Sequence, residues 1–85
     1  MKTHDLKVWP APFAGIDAGL KPWEFRLNDR NFKVGDRLCL REYDPRALSY
    51  TGRTLDRFVV YVLDGGFGLP PGYVIMTLAE DSPTS

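Results

Sequence analysis

The chain has 85 residues, one cysteine, one histidine, and eleven basic residues balanced by eleven acidic ones. That length holds one domain, and a chain so short buries only about 60% of its unfolded surface, so it needs a compact barrel or a partner. An apolar content of 44% with 13% aromatic excludes a disordered chain, and the charge balance excludes a polycation throughout.

A lone cysteine rules out an internal disulfide and points to a reducing compartment. The N-terminus Met1-Lys2-Thr3-His4-Asp5 has no apolar leader core, and no run approaches the roughly 18 residues of a membrane span. The expectation is a soluble, cytoplasmic protein.

Residues Thr3 to Trp9 alternate as a first strand, with His4, Leu6 and Val8 on one face. Pro10 and Pro12 suit the opening turn of a helix. Phe13, Ile16 and Leu20 then fall at helical spacing, which predicts a short helix over Pro12 to Ala18 with Gly19 as a left-handed cap. Gly15 weakens that helix by about 1 kcal/mol relative to Ala, so packing must hold it.

Trp23 to Asn28 alternates cleanly. Trp23, Phe25 and Leu27 form one face, read as the core side; Glu24, Arg26 and Asn28 form the other. Asn28-Asp29-Arg30-Asn31 is turn chemistry, and Gly35-Asp36 is a tight turn into a strand from Arg37 to Tyr43. Cys39 lies in that alternating run as a buried structural thiol. Asp44-Pro45 breaks the strand, and Asp44 to Gly52 reads as a long hairpin arm with a mobile tip.

Arg53 to Leu63 is the longest strand; its end, Phe58 to Leu63, is apolar on both faces and so central. A glycine-rich loop, Asp64 to Gly72, leads to a last strand from Tyr73 to Leu78, and Ala79 to Ser85 is a flexible polar tail. The sum is mainly β, an α+β domain over residues 3–78: a small antiparallel barrel of about five strands with one short helix.

Three features could carry chemistry. Gly65-Gly66-x-Gly68 lacks the Lys-Ser/Thr of a phosphate loop and no helix follows it, so it reads as a strand connection. His4 has no second His or Cys at ligand spacing, so no metal is expected; it reads first as a satisfied strand histidine, and second as a base contact or proton carrier. Lys21, Glu24 and Arg26 are either an exposed strand face or a polar cleft. In a cleft, Lys21 and Arg26 would meet phosphate or a base carbonyl and Glu24 would accept an exocyclic amine. A lysine desolvated beside a carboxylate can also work as a base. Residues 21–46 hold seven basic against five acidic side chains, a slight local excess.

The run Gly19-x-Lys21-x-x-Glu24-x-Arg26, followed by Phe32-x-Val34-Gly35-Asp36, resembles the ASCH domain of the PUA-like superfamily. It is most similar to the short branch of unknown function found in phages and bacteria. His4-x-Leu6-Lys7, Asn28-Asp29-Arg30, Leu40-x-Glu42-Tyr43, Tyr50-Thr51-Gly52-Arg53 and Gly72-Tyr73-Val74-Ile75 belong to the same likeness. The resemblance implies a PUA-like barrel with a cleft beside the helix and the Lys21–Arg26 segment, and a role in binding RNA or modified nucleotides. The implied ligand contacts are Lys21, Glu24, Arg26 and Asn28, with His4, Arg30 and Arg41 beside them, and no cofactor.

Some ASCH relatives are amidohydrolases that deacetylate N4-acetylcytidine, which makes such an enzyme, with Lys21 and Glu24 catalytic, the alternative. Lys21 matches their lysine. Glu24, however, stands at their threonine nucleophile, and the short Asp64–Gly72 loop lacks the helical insertion that carries their second carboxylate. Both departures point away from that reaction, although a carboxylate can activate water. Small size alone stands behind a third role, a phage-type accessory that binds another protein.

Overall fold

The computed structural model describes residues 1–82. Five strands and one helix follow in the order β1 (Thr3–Val8), α1 (Pro10–Asp17), β2 (Trp23–Leu27), β3 (Arg37–Asp44), β4 (Ser49–Leu63) and β5 (Tyr73–Ala79). They form one sheet in the order β1-β3-β4-β5-β2. β3, β4, β5 and β2 pair antiparallel, while β1 and β3 run parallel, His4 facing Leu38 and Leu6 facing Leu40. A parallel pair needs a long crossover, and α1 with β2 supplies it.

The inner face follows the alternation of the strands. Leu6 and Val8, Leu38 and Leu40, Val59, and Val74, Met76 and Leu78 make the core, with Phe13 and Ile16 of α1 and the loop residue Phe32 packed on them. Phe13 and Ile16 sit three apart, so both fall on the one buried stripe of the helix. α1 begins at Pro10, two residues before the predicted start, because Pro10 at its first position loses no helical hydrogen bond. It ends as expected at Gly19, φ 77°, where the Gly19 amide donates to Ile16 O and the Leu20 amide to Gly15 O. Leu20 lies past this stop and is exposed, so it is no part of the buried stripe.

β1 and β2 end the strand order on opposite sides, yet Arg26 of β2 donates Nη2–H to the carbonyl of Lys7 on β1 at 2.5 Å. The sheet therefore curls until its two edges face each other. No ladder joins them; side chains bridge the seam.

The main departure from the sequence reading is the phase of β2. Trp23, Phe25 and Leu27 are 43%, 44% and 48% exposed, whereas Glu24 is 5% exposed. The register sets this. Glu24 faces Met76 and Arg26 faces Val74, both core residues of β5, so the charged side of β2 turns inward. The apolar side covers the outside of the sheet, where Phe25 stacks on Tyr73 at 5.2 Å.

Smaller corrections follow the ladder. β4 starts at Ser49, since Tyr43 pairs with Tyr50 and Asp44 with Ser49, leaving only residues 45–48 as the hairpin tip. Cys39 is half-buried on the outer face of β3. Desolvation, the charges of Asp5 and Asp56 and a hydrogen bond with Asp5 push its thiol pKa up, against the opposing pull of Arg37. Ala79 pairs with Phe58 and so belongs to β5 rather than to a tail, while residues 83–85 of the expected flexible tail lie outside the described residues.

Candidate functional site: a groove at the seam of the sheet

Glu24 is the centre of the site. Buried on the inner side of β2, its Oε1 accepts from Lys21 Nζ at 3.0 Å and its Oε2 from Arg26 Nε at 2.7 Å. A carboxylate out of water needs such partners; two cations satisfy both oxygens. Lys21 also donates to the carbonyl of Trp23 at 2.9 Å, and its ammonium lies 4.3 Å from the centre of the Trp23 ring. Gly15 makes this arrangement possible: a Cβ there would stand 3.2 Å from Lys21 Cβ, and the Lys21 amide donates to Gly15 O. The glycine that weakens α1 lets the lysine segment dock against it.

Arg26 and Arg30 span the seam. Arg26 reaches the Lys7 carbonyl, and Arg30 donates through Nη1 to the carbonyl of Asp5. The carbonyls of Asp5 and Lys7 lie on the edge of β1 away from β3, because carbonyls alternate sides along a strand and it is Lys2 O that accepts from the Arg37 amide of β3. The guanidinium groups thus take the place that a sixth ladder strand would have.

A groove of about 520 Å³ opens along this seam, within the range of about 300–1,000 Å³ of small-ligand sites. Lys7, Lys21, Arg26 and Arg30 line it with Glu24 and Asp29, an excess of two positive charges. Trp9, Trp23, Phe25 and Tyr73 are also in its lining. The side chains of Lys21 and Arg26 remain 21% and 26% exposed, so each holds Glu24 and still meets the groove.

Lys21, Glu24, Arg26 and Arg30 of the predicted set come together here. Asn28, His4 and Arg41 do not line the groove. Asn28 Oδ1 accepts from the Phe32 amide at 2.8 Å and pins the turn after β2. Arg41 stands on the outer face of β3 with its guanidinium 3.9 Å from the Tyr50 ring centre. His4 is buried, with Nε2 2.9 Å from Asp36 Oδ2 and its ring edge-on to Phe32 at 4.8 Å. This is the structural histidine of the simpler reading.

Asp36 anchors that second cluster. Burial raises its carboxyl pKa, but the hydrogen bond from His4, those from the Lys2 and Lys33 amides and the His4 charge outweigh burial and leave it below the ordinary aspartate value. Sequence reasoning missed Asp36 as a partner of His4, and missed Lys7, Trp9, Phe25 and Tyr73 as groove residues. The unbroken alternation of charge and aromatic in Trp23–Arg26 was the available signal for Phe25; Lys7 had none, because only closure of the sheet brings β1 to β2. Among the described residues no three His, Cys, Asp or Glu side chains gather as a metal site, and no helix is long and apolar enough to cross a membrane.

Comparison with known proteins places this geometry in a family. A protein of Escherichia phage P2, named as an uncharacterized 12.9 kDa protein in the GpA 3' region, is 35% identical over 63 residues. The alignment takes in 74% of this chain and 56% of the phage protein, so the chain spans little more than half the length of that relative. The family model described as Domain of unknown function (DUF3850) matches residues 3–78, both strands of the seam included, and the chain belongs to that family.

Proposed function

We propose that this domain is an ASCH-type, PUA-like module of the cytoplasm that binds RNA or a nucleotide in the seam groove. One observation carries the reading: four cations and five aromatic residues share the lining of a groove of nucleotide size. Cations meet phosphate, and ring faces stack with any base, which is the chemistry of single-strand binding. Glu24 presets Lys21 and Arg26, so their side chains lose little freedom when a phosphate arrives. Trp23, outward and beside Lys21, is the stacking candidate.

The amidohydrolase alternative uses the same Lys21–Glu24 pair. Both Glu24 oxygens are engaged by cations, so activating water would first require breaking one of those contacts. Binding is therefore the preferred function; release of cytidine from N4-acetylcytidine, abolished by Lys21→Ala, would reverse that preference.

The test is polarisation of a labelled octauridylate across a salt series. Binding at low salt that weakens as salt rises is expected, with Lys21→Ala and Arg26→Ala each lowering the log–log salt slope by about 0.7. No binding at low salt, or variants that bind like the parent, would overturn the proposal.

A further inference from the structure

Beside the groove, on the outer face of the sheet, lies a second cluster of cations and rings. Tyr43 of β3 and Tyr50 of β4 are a cross-strand pair with ring centres 5.2 Å apart and edge-to-face. Arg41 lies over the Tyr50 ring, and Lys7 Nζ lies 4.2 Å from the centre of the Tyr43 ring. Most of the sheet's other cations answer a carboxylate: Arg37 with Asp56, Arg53 with Asp17, Arg57 with Glu80. Among the described residues, Lys7 and Arg41 have no carboxylate within ion-pair distance. Their charge is uncompensated and held on ring faces.

Lys7 belongs to both places. Its carbonyl accepts from Arg26, the residue is part of the groove lining, and its ammonium sits over Tyr43. The two clusters meet at Lys7 on β1, and the acidic side chain one pleat away, Asp5, is engaged with Cys39.

We propose that the strip formed by Lys7, Arg41, Tyr43 and Tyr50 is a second subsite, which holds the nucleotides of a single-stranded polynucleotide that lie next to the one in the groove. The inference rests on the nucleotide-binding reading of the groove. Lys7 and Arg41 meet the phosphates at the crossing. Tyr50, exposed at the base of the hairpin, offers a ring to a base, and stacking a base on an aromatic side chain is sequence-tolerant. The protein would then prefer a strand to a free nucleotide.

The experiment compares UMP, octauridylate and octathymidylate on the parent, Arg41→Gln, Tyr50→Ala and Tyr50→Phe, each checked for folding by circular dichroism. The octamer is expected to bind more tightly than UMP. Tyr50→Ala should weaken octamer binding about fivefold or more, Tyr50→Phe should restore it, and neither should change UMP binding. Arg41→Gln should lower the octamer's salt slope by about 0.7 and leave UMP unchanged. Tyr50 dependence in either the RNA or the DNA arm supports the subsite, and the pair of arms tells whether the 2′-hydroxyl matters. Octamer binding that ignores both Arg41 and Tyr50 overturns the subsite while UMP binding still upholds the groove. Loss of UMP and octamer binding alike overturns the groove reading and the subsite with it.

Discussion

Glu24 and Asp36 are both buried carboxylates, and both have every oxygen engaged, but their partners differ in kind. Asp36 is held by a histidine and two backbone amides, all of which end in the protein. Glu24 is held by the ends of two flexible cationic side chains, both of which continue into the groove. The first arrangement ties the N-terminus to the turn before β3. The second stores two charges at a surface where a ligand can use them. Stability should therefore be more sensitive at Asp36, and binding more sensitive around Glu24.

Asp36→Ala should have the largest effect of all. It leaves His4 and the Lys2 and Lys33 amides without their acceptor, so a loss of about 2–4 kcal/mol in urea unfolding is expected. Binding by the folded fraction should be unchanged. Glu24→Ala comes next, at about 2 kcal/mol. That is below the roughly 3–5 kcal/mol of a broken, fully buried pair, because Lys21 and Arg26 are partly open to solvent. Here affinity for octauridylate should fall as well, measured by the same polarisation assay. If Asp36→Ala impairs binding in the folded protein, or Glu24→Ala leaves it untouched, the contrast between the two carboxylates is wrong.

Acid titration sharpens the contrast. Asp36 has a folded pKa below that of an ordinary unfolded aspartate, so its contribution is complete above the unfolded pKa and fades as pH falls through the lower folded one. Urea midpoints of Asp36→Asn should accordingly lose pH dependence in that acid window relative to the parent. An identical acid limb in the two proteins would remove Asp36 from the account. The smallest effect is expected for Gly15→Ala. Gain in helix propensity, about 1 kcal/mol, is offset by the crowding of Lys21 Cβ at 3.2 Å. Stability should barely move while displacement of Lys21 weakens octauridylate binding two- to threefold, read by polarisation.

Much of the fold is legible in the chain, because alternation and turn chemistry mark the strands directly. The His4-Leu6-Val8 face, the Leu38-Leu40 face and the Gly19 stop all stand in the structure where the pattern puts them. Alternation cannot tell which side of a strand turns inward when both sides have a claim. In β2 the apolar side looks like core, yet pairing with Val74 and Met76 gives the inside to Glu24 and Arg26. The same limit governs the site. Lys21, Glu24, Arg26 and Arg30 lie close in sequence and are found together. Lys7 and Tyr73 reach the groove only through long-range closure, and Asn28, near in sequence, is taken up by its own turn.

The chain has two tryptophans, Trp9 and Trp23, and both line the groove, so intrinsic fluorescence reports on its occupancy without any label. Titration with octauridylate at low salt should quench that emission to saturation, with the Trp23→Phe variant losing most of the change and added salt reversing it. Emission that stays constant at low salt, under conditions where the protein is folded, would contradict the groove as the place where a nucleotide binds.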